Sequence, residues 1–354
     1  MLLTARWDGT TKLWNTKAAQ LEVSISGGVI AAEADGSQIG FRNFDEIGFW
    51  ELERASERRI IHGHVGKGPW CVGFSPNNKA LATSGKDGVR IWDRRLQQVA
   101  RFDLGDTFSA HFSADGKSVL CTGSYGLKRI ALGPGYQAAS QAEQLVEGPF
   151  ESSILTSKGL LAAVGRNSVN LIDLKTMKRT QLSGRSATYS VSVSHNNRWA
   201  AAGAWHNPDV VVWNLKDRKT RRLPTASSSK VAFSKNDKWL IVSDATEYRF
   251  WSTQDWQTHR RVIRKVAAGY PGAIGFSSDG KLVAICISGT QAALLDVDTG
   301  KKIVELKTPG DRVITSFAFS SDDKHLAVAT NGRVTHLWDL GKVRSRLRSM
   351  GLDW

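Results

Sequence analysis

Short apolar runs separated by tight turns recur along the whole chain. The pattern is clearest between residues 69 and 104, where Lys86-Asp87-Gly88 forms a hairpin signal between two of the runs. Runs of five or six residues joined by such turns are typical of antiparallel strands and leave no room for a helix. In this segment we expect four strands, at Trp70–Phe74, Ala80–Ser84, Val89–Asp93 and Leu96–Leu104.

The third strand of this unit ends in a Trp followed by an acidic residue, and similar endings recur along the chain. Their spacing is about forty residues, a period typical of repeat architectures in which neighbouring units share a core. Each unit is therefore predicted to be one four-stranded element. The anchors fall at Trp14, Trp50, Trp92, near Ile130, Ile172, Trp213, Trp251, Leu295 and Trp338.

Both the spacing and the motif resemble those of the WD-repeat family, whose members form β-propellers with four strands per blade. The resemblance covers nearly the whole chain and includes the Gly63-His64 pair before the first complete blade. It implies an all-β WD40-type propeller. A fold of this kind carries little information about chemistry by itself.

The number of blades depends on which N-terminal strand completes the last unit, because the pattern ends at Asp339 without an outer strand. Residues 18–25 would close eight blades, whereas residues 57–62 would close seven and leave 1–56 as part of another propeller. Two unpaired blades would expose long strand edges, so eight blades are favoured. We expect a propeller over residues 1–340, with 1–25 as a partial blade that helps to close the ring.

Residues 341–354 break the repeat and are rich in arginine. Val343, Leu347 and Met350 follow a helical spacing that ends at Gly351, so a short basic helical tail is expected. The segment resembles the one that follows the last repeat in planctomycete-type bacterial WD-repeat proteins, which often carry serine/threonine kinase domains. It implies a bacterial signalling protein of which this chain would be the C-terminal sensory or scaffolding part.

Composition narrows the choice of partners. Among 354 residues, 48 Lys and Arg against 33 Asp and Glu give a formal net charge of +15, which favours acidic partners. Basic pairs recur where outer strands are expected to begin, so most of this charge is expected on solvated blade edges. An acidic protein or peptide is the preferred partner, and nucleic acid is the alternative. No run of about eighteen apolar residues is present, so a soluble, cytoplasmic protein without membrane insertion is expected. The sequence does not indicate an oligomeric state.

Motifs for catalysis are absent from the sequence: it contains no P-loop, dinucleotide fingerprint, zinc-protease helix, kinase signature or Gly-x-Ser-x-Gly elbow. Cys71, Cys121 and Cys286 lack ligand spacing. A noncatalytic protein without cofactor or metal is expected. His62 and His64 alternate as a zinc pair could, but the family resemblance implies instead that His64 joins a buried hydrogen-bonded network with Thr83 (or Ser84), Asp87 and Trp92.

In the WD-repeat family, partners commonly dock on the face formed by the turns between second and third strands and by the segments leading into the inner strands. Aromatic and arginine side chains are frequent interface hot spots. The expected function is therefore a scaffold for protein–protein interaction. The positions that map to this face are Trp7, Lys86, Tyr125, Arg166, Tyr189, Trp205, His206, Tyr270 and Arg312.

Overall fold

The computed structural model is built almost entirely from antiparallel strands. Two three-stranded sheets come first, β1-β2-β3 and β4-β5-β6. Their strands are β1 (Leu2–Ala5), β2 (Thr10–Asn15), β3 (Gln20–Ser26), β4 (Gly28–Ala32), β5 (Gln38–Asn43) and β6 (Glu46–Glu51). The next strand, β7 (Arg58–His62), belongs to neither sheet. The structure describes residues 2–5, 10–15, 20–26, 28–32, 38–43, 46–51, 57–165, 168–182, 188–265, 269–308 and 312–352.

Seven four-stranded sheets follow and form the blades of a closed ring. Blade 1 consists of β8 (Cys71–Phe74), β9 (Ala80–Gly85), β10 (Gly88–Asp93) and β11 (Gln98–Phe102). Blade 2 consists of β12 (Thr107–Phe112), β13 (Ser118–Gly123), β14 (Gly126–Ala131) and β15 (Glu143–Val146), with a 3₁₀ turn at Pro134–Tyr136. Blade 3 consists of β16 (Ser152–Leu155), β17 (Leu160–Gly165), β18 (Ser168–Asp173) and β19 (Arg179–Leu182).

The remaining blades repeat this order from the inner strand outwards. Blade 4 consists of β20 (Thr188–Val193), β21 (Trp199–Ala204), β22 (Asp209–Asn214) and β23 (Thr220–Pro224). Blade 5 consists of β24 (Lys230–Phe233), β25 (Trp239–Ser243), β26 (Glu247–Ser252) and β27 (Thr258–Ile263). Blade 6 consists of β28 (Ile274–Phe276), β29 (Leu282–Cys286), β30 (Gln291–Asp296) and β31 (Lys302–Lys307). Blade 7 consists of β32 (Ile314–Phe319), β33 (His325–Thr330), β34 (Val334–Asp339) and β7.

The expectation of eight blades is wrong, because the ring closes with seven. β7 pairs antiparallel with β34, with His62 opposite Val334 and Arg58 opposite Trp338. The inner strand of blade 7 then packs against the inner strand of blade 1, where the Thr315 hydroxyl donates to the Pro69 carbonyl at 2.7 Å. Since β7 completes blade 7 instead of extending the β4-β5-β6 sheet, that sheet stays outside the ring. β3, which overlaps the expected closing segment 18–25, pairs with β2 and does not close the ring.

A serine turn between the inner and second strands recurs in six blades. The serine hydroxyl donates to an Asp or Asn side chain two residues later, as in Ser113–Asp115 at 2.6 Å and Ser234–Asn236 at 2.7 Å. Such side-chain bonds hold the turn without help from the strands. Because the turns fix where each second strand starts, the blades share one register. The second and third strands are buried along most of their length and form the cores between blades.

A helix, α1 (Leu340–Ser349), follows β34 directly. The Asp339 side chain caps its first turn by accepting the Lys342 backbone N–H at 3.0 Å. Leu340 and Val343 are buried against blades 6 and 7, and Arg346 pairs with Glu57 at 2.9 Å. Met350, placed on the apolar stripe by its spacing, is 65% exposed. The helix thus buries only its first two turns.

Candidate partner-binding face

The turns between second and third strands and the segments leading into the inner strands lie at one end of the ring, here called the upper face. An antiparallel four-stranded blade places these two connections at the same end. Hydrogen bonds between them confirm the placement. In blade 1 the Lys86 N–H donates to the Lys67 carbonyl at 3.0 Å, and in blade 4 the His206 N–H donates to the Ser228 hydroxyl at 2.8 Å.

Three inner strands carry a register shift at the upper face. In β12, β20 and β32 the shifts leave Phe108, Tyr189 and Thr315 without a cross-strand partner. Such bulges re-aim the side chain of the extra residue. All three residues line the central channel. The bulges therefore place ring and hydroxyl side chains at the channel mouth.

The central channel has a volume of about 640 Å³ and is lined by residues of all seven inner strands and their lead-in segments. Its wall is rich in hydroxyl groups, including those of Ser109, Ser190 and Ser316. Lys230 and Glu151 supply its charged side chains among the described lining residues. Lys230 reaches across the channel, where its Nζ donates to the Thr315 carbonyl at 3.1 Å and lies 5.8 Å from the Tyr189 ring centroid.

An aromatic cluster lies beside the channel mouth. The Trp205 ring centroid is 4.8 Å from that of Tyr189, 5.0 Å from that of His206 and 5.8 Å from that of Tyr270. Tyr189 and Trp205 are half-buried, whereas His206 and Tyr270 are exposed. The cluster comes from the inner strand and long turn of blade 4 and from the segment entering blade 6. It combines a fixed base with an accessible surface.

A buried arginine supports the exposed end of this cluster. Arg264 is 6% exposed, and its guanidinium donates to the carbonyl oxygens of Asp244, Ala245 and Tyr270, the last at 2.6 Å. All three of these bonds come from one nitrogen of the guanidinium, Nη1. The Tyr270 carbonyl is therefore tied through Arg264 to the blade 5 turn that contains Asp244 and Ala245. Arg264 could not be predicted as a site residue, since a lone arginine between strands gives no local signal.

Two further aromatic residues line the mouth of the channel on the side of blades 1 and 2. Trp70 and Phe108 stack with ring centroids 5.0 Å apart and an angle of 20° between their planes. Both are half-buried. Neither was predicted as a site residue. Trp70 lies just before its inner strand and Tyr189 lies near the start of its own, so the two occupy similar positions in their blades. Comparing the inner strands position by position would have found them.

Two segments, residues 55–93 and 300–339, match the family model described as WD domain, G-beta repeat. The first contains β7 and the first three strands of blade 1, and the second contains the outer strand of blade 6 and β32, β33 and β34 of blade 7, so they meet where the ring closes. A curated protein from Arabidopsis thaliana, "Pre-mRNA-processing factor 19 homolog 2", is 32% identical over 71 residues. That alignment covers 20% of this chain and 13% of the relative. The fold is a WD40-type propeller. Neither match bears on the resemblance of residues 341–354 to planctomycete-type proteins.

Blade 1 of the WD40-type propeller contains a continuous chain of buried hydrogen bonds. Trp92 Nε1 donates to Thr83 Oγ1 at 2.9 Å, Thr83 Oγ1 lies 2.8 Å from His64 Nε2, and His64 Nδ1 lies 2.6 Å from Asp87 Oδ1. The Thr83 hydroxyl accepts from the indole and is therefore assigned as the donor to His64 Nε2. The imidazole proton is then on Nδ1, which donates to Asp87. The four side chains tie the lead-in segment to the second and third strands.

Burial lowers the pKa of His64, and the nearby Asp87 carboxylate opposes this effect without reversing it. Burial alone would raise the pKa of Asp87, but hydrogen bonds from His64 and the Val65 N–H and the charge of Arg90 hold that pKa below its ordinary value. A neutral imidazole therefore donates to an ionised carboxylate. Arg90, 1% exposed, also binds Asp87 at 2.5 Å and was not anticipated as a member of this network.

The other residues expected on the partner-binding face lie apart from the aromatic cluster or outside the described part of the chain. The exposed Lys86 side chain lies against Gly66, and the exposed Arg312 packs across Gly332. The Tyr125 hydroxyl lies 3.0 Å from Thr107 Oγ1, and burial raises its pKa. Trp7 and Arg166 lie outside the described residues.

Several cysteine and histidine side chains of the propeller have pKa values shifted by burial. Within the described ranges no three His, Cys, Asp or Glu side chains are grouped as metal ligands would be. Burial raises the pKa values of the Cys121 and Cys286 thiols, which makes both poor nucleophiles. His111, on an inner strand, bonds to Ser153 and has a pKa lowered by burial. None of the described helices has the length and apolar character needed to cross a bilayer.

Proposed function

We propose that this WD40-type propeller is a noncatalytic scaffold that binds an acidic protein segment at the upper mouth of its central channel. The observation that carries the proposal is the group of Tyr189, Trp205 and Tyr270 around one edge of that mouth, with centroid distances of 4.8 and 5.8 Å. Rigid aromatic rings lose little conformational entropy on binding and often dominate interface energy.

The charges near the mouth favour an acidic segment. Lys230 extends into the channel from blade 5, and Lys86 and Arg312 are exposed on other sectors of the upper face. A carboxylate entering the channel would meet the Lys230 ammonium and the hydroxyl groups of the wall, which can satisfy its oxygens. An apolar neighbour of that carboxylate would contact the aromatic rings.

The proposal is tested by comparing proteins captured by wild-type propeller and by two variants. Trp205→Ala removes the centre of the aromatic cluster, and we expect its partner to bind at least about tenfold more weakly. Ile263→Ala is the matched control, since Ile263 is 70% exposed on the outer strand of blade 5. Retention of the same proteins with the same affinity by Trp205→Ala would contradict the proposal.

Nucleic-acid binding is the alternative, favoured by the net charge of +15. It predicts an affinity that falls steeply with salt, which titration with mixed DNA and RNA would reveal. The distribution of charge argues against it, because basic side chains are spread over the outer parts of several blades and many are paired. Examples are the pairs Arg101–Asp103, Arg129–Glu143, Arg222–Asp209 and Lys302–Glu305.

The proposal extends to a bacterial signalling context in the cytoplasm, in which this chain would be the C-terminal sensory or scaffolding part of a larger protein. Its support is the resemblance of residues 341–354, stated above, together with the basic character of α1. The reading frame around the coding sequence tests this extension, and a frame without a signalling domain would contradict it.

A further inference from the structure

Each seam between neighbouring blades can be compared through three equivalent positions. Two of them belong to the first blade of the seam: the first residue of its second strand, and the outer-strand residue that faces the middle of its third strand. The third position belongs to the next blade and is the residue with positive φ in the turn between its third and outer strands. In the seam between blades 4 and 5 these are Trp199, Arg221 and Trp256. The Trp199 and Trp256 rings meet edge-on at 5.0 Å, and Arg221 lies 5.7 Å above the Trp256 ring. Trp256 is 5% exposed, so this seam is filled.

The seam between blades 5 and 6 is filled by a different combination. Its three positions are Trp239, Arg260 and Gly300. The Arg260 guanidinium lies 5.6 Å above the Trp239 ring and donates to the carbonyl oxygens of Val297 and Asp298. A β-carbon at Gly300 would lie 2.3 Å from Arg260 Cδ. The small residue at the turn thus makes room for the long side chain that fills the seam.

The seam between blades 3 and 4 lacks such a filling. Its three positions are Leu160, Thr180 and Arg218, each smaller or more exposed than its counterpart in the next seam. A groove of about 270 Å³ remains there. Its walls include Leu171, Leu182 and Leu215. Where the next seam holds the Trp256 indole, this groove is open to solvent.

The rim of this groove is basic. Lys178 and Arg218 are exposed at its edge, while the Asp173 carboxylate accepts the backbone N–H groups of Lys175 and Thr176. A second copy's α1 is a poor occupant, because four basic residues of that helix would face the two cations. Charge complementarity favours an acidic segment.

We propose that the groove between blades 3 and 4 is a second docking site, which takes a bulky apolar side chain, preferably an indole, from an acidic segment of a partner protein. The Trp256 indole in the adjacent seam shows that equivalent walls accommodate this ring. The site is distinct from the channel mouth. It lies on the side of the ring, between the turns that join the third and outer strands of blades 3 and 4.

The test uses a synthetic peptide with one Trp flanked by Asp and Glu, observed through the leucine methyl signals of the full chain in NMR spectra. At millimolar peptide we expect shifts at Leu160, Leu171, Leu182 and Leu215. Replacing the Trp by Ala, or the flanking acids by Lys, should weaken binding at least about tenfold. Equal shifts with all three peptides, or no shifts at these leucines, would overturn the proposal.

A filled groove provides the matching variant. Arg218→Trp places at this position the residue that Trp256 provides in the adjacent seam. The backbone can accommodate it, because φ is 59° at Arg218 and 57° at Trp256. We expect this variant to melt at the wild-type temperature or above and to lose the peptide-induced shifts. Lys216→Trp, on the same turn but outside the groove, should keep them. Retained binding in a folded Arg218→Trp variant would contradict the proposal, while Trp205→Ala should leave this site unchanged.

Discussion

Blades 1 and 5 hold the same Trp at the end of the third strand by different means. In blade 1 the Trp92 indole donates to Thr83, and the chain of hydrogen bonds runs on from Thr83 through His64 to Asp87. In blade 5 the position equivalent to Thr83 is the buried Val242, and no described residue accepts a hydrogen bond from Trp251 Nε1. The comparison teaches that one strand geometry can be maintained either by a polar network or by apolar packing.

The largest expected effect comes from breaking the blade 1 network at its carboxylate. Asp87→Ala should lower the free energy of unfolding by about 3 kcal/mol, because it leaves Arg90 with the 3.2 Å contact to Asp103 and a 3.4 Å bond to the Val89 carbonyl, and removes the acceptor of His64 and the Val65 N–H. Urea unfolding measures the loss. Asp87→Asn, which keeps one acceptor oxygen, should lose less, and equal losses would show that the retained acceptor contributes nothing.

Acid should destabilise the blades that contain buried histidines. Burial, with the nearby charges of Arg58 and His62, lowers the pKa of His336 in blade 7 from 6.5 to about 3, so the native state holds the imidazole neutral while the unfolded state binds a proton below pH 6.5. Stability is therefore complete above about pH 6.5 and falls on acidification. His336 alone should cost about 2 kcal/mol between pH 6.5 and about pH 5.

Unfolding free energies measured across this pH range check the expectation. In His336→Leu the slope contributed by this residue should disappear, while the lowered pKa of His64 in blade 1 keeps a smaller acid-dependent loss of the same sign. An unchanged pH dependence in His336→Leu would show that this histidine is not held neutral.

The smallest effect is the most direct comparison of the two blades. Trp92→Phe and Trp251→Phe remove similar volumes, but only the first removes a hydrogen bond. Trp92→Phe should therefore destabilise by about 1 kcal/mol more than Trp251→Phe, since the Thr83 oxygen loses its buried donor. Thermal and urea unfolding of the two variants measure the difference, and a larger loss in Trp251→Phe would reverse the interpretation.

Local features of the blades could be predicted from the sequence because they depend on neighbouring residues. The third strand expected at Val89–Asp93 is observed at Gly88–Asp93, and Tyr189, Trp205, His206 and Tyr270 lie together at the upper face, while their contact with a partner stays a prediction. The blade count could not be predicted in this way. It depends on the pairing of β7 with β34, two segments far apart in the chain whose alternation fits several partners.

The channel mouth and the open seam depend on comparisons that a single stretch of sequence does not reveal. Phe108 and Tyr189 face the channel because a register shift in each inner strand re-aims them, and apolar patterning does not encode that shift. Arg218 leaves its seam open only because Leu160 and Thr180 face it from the preceding blade. Such features are defined by three strands of two blades together.

The pairing of β7 with β34 has a consequence for synthesis on the ribosome. β7 is made before blade 1, yet its hydrogen-bonding partner belongs to blade 7. The first six blades can form while the nascent chain is growing, but this edge strand must wait, unpaired, until the last blade has emerged. Closure of the ring is therefore a late step that joins the earliest and latest parts of the propeller.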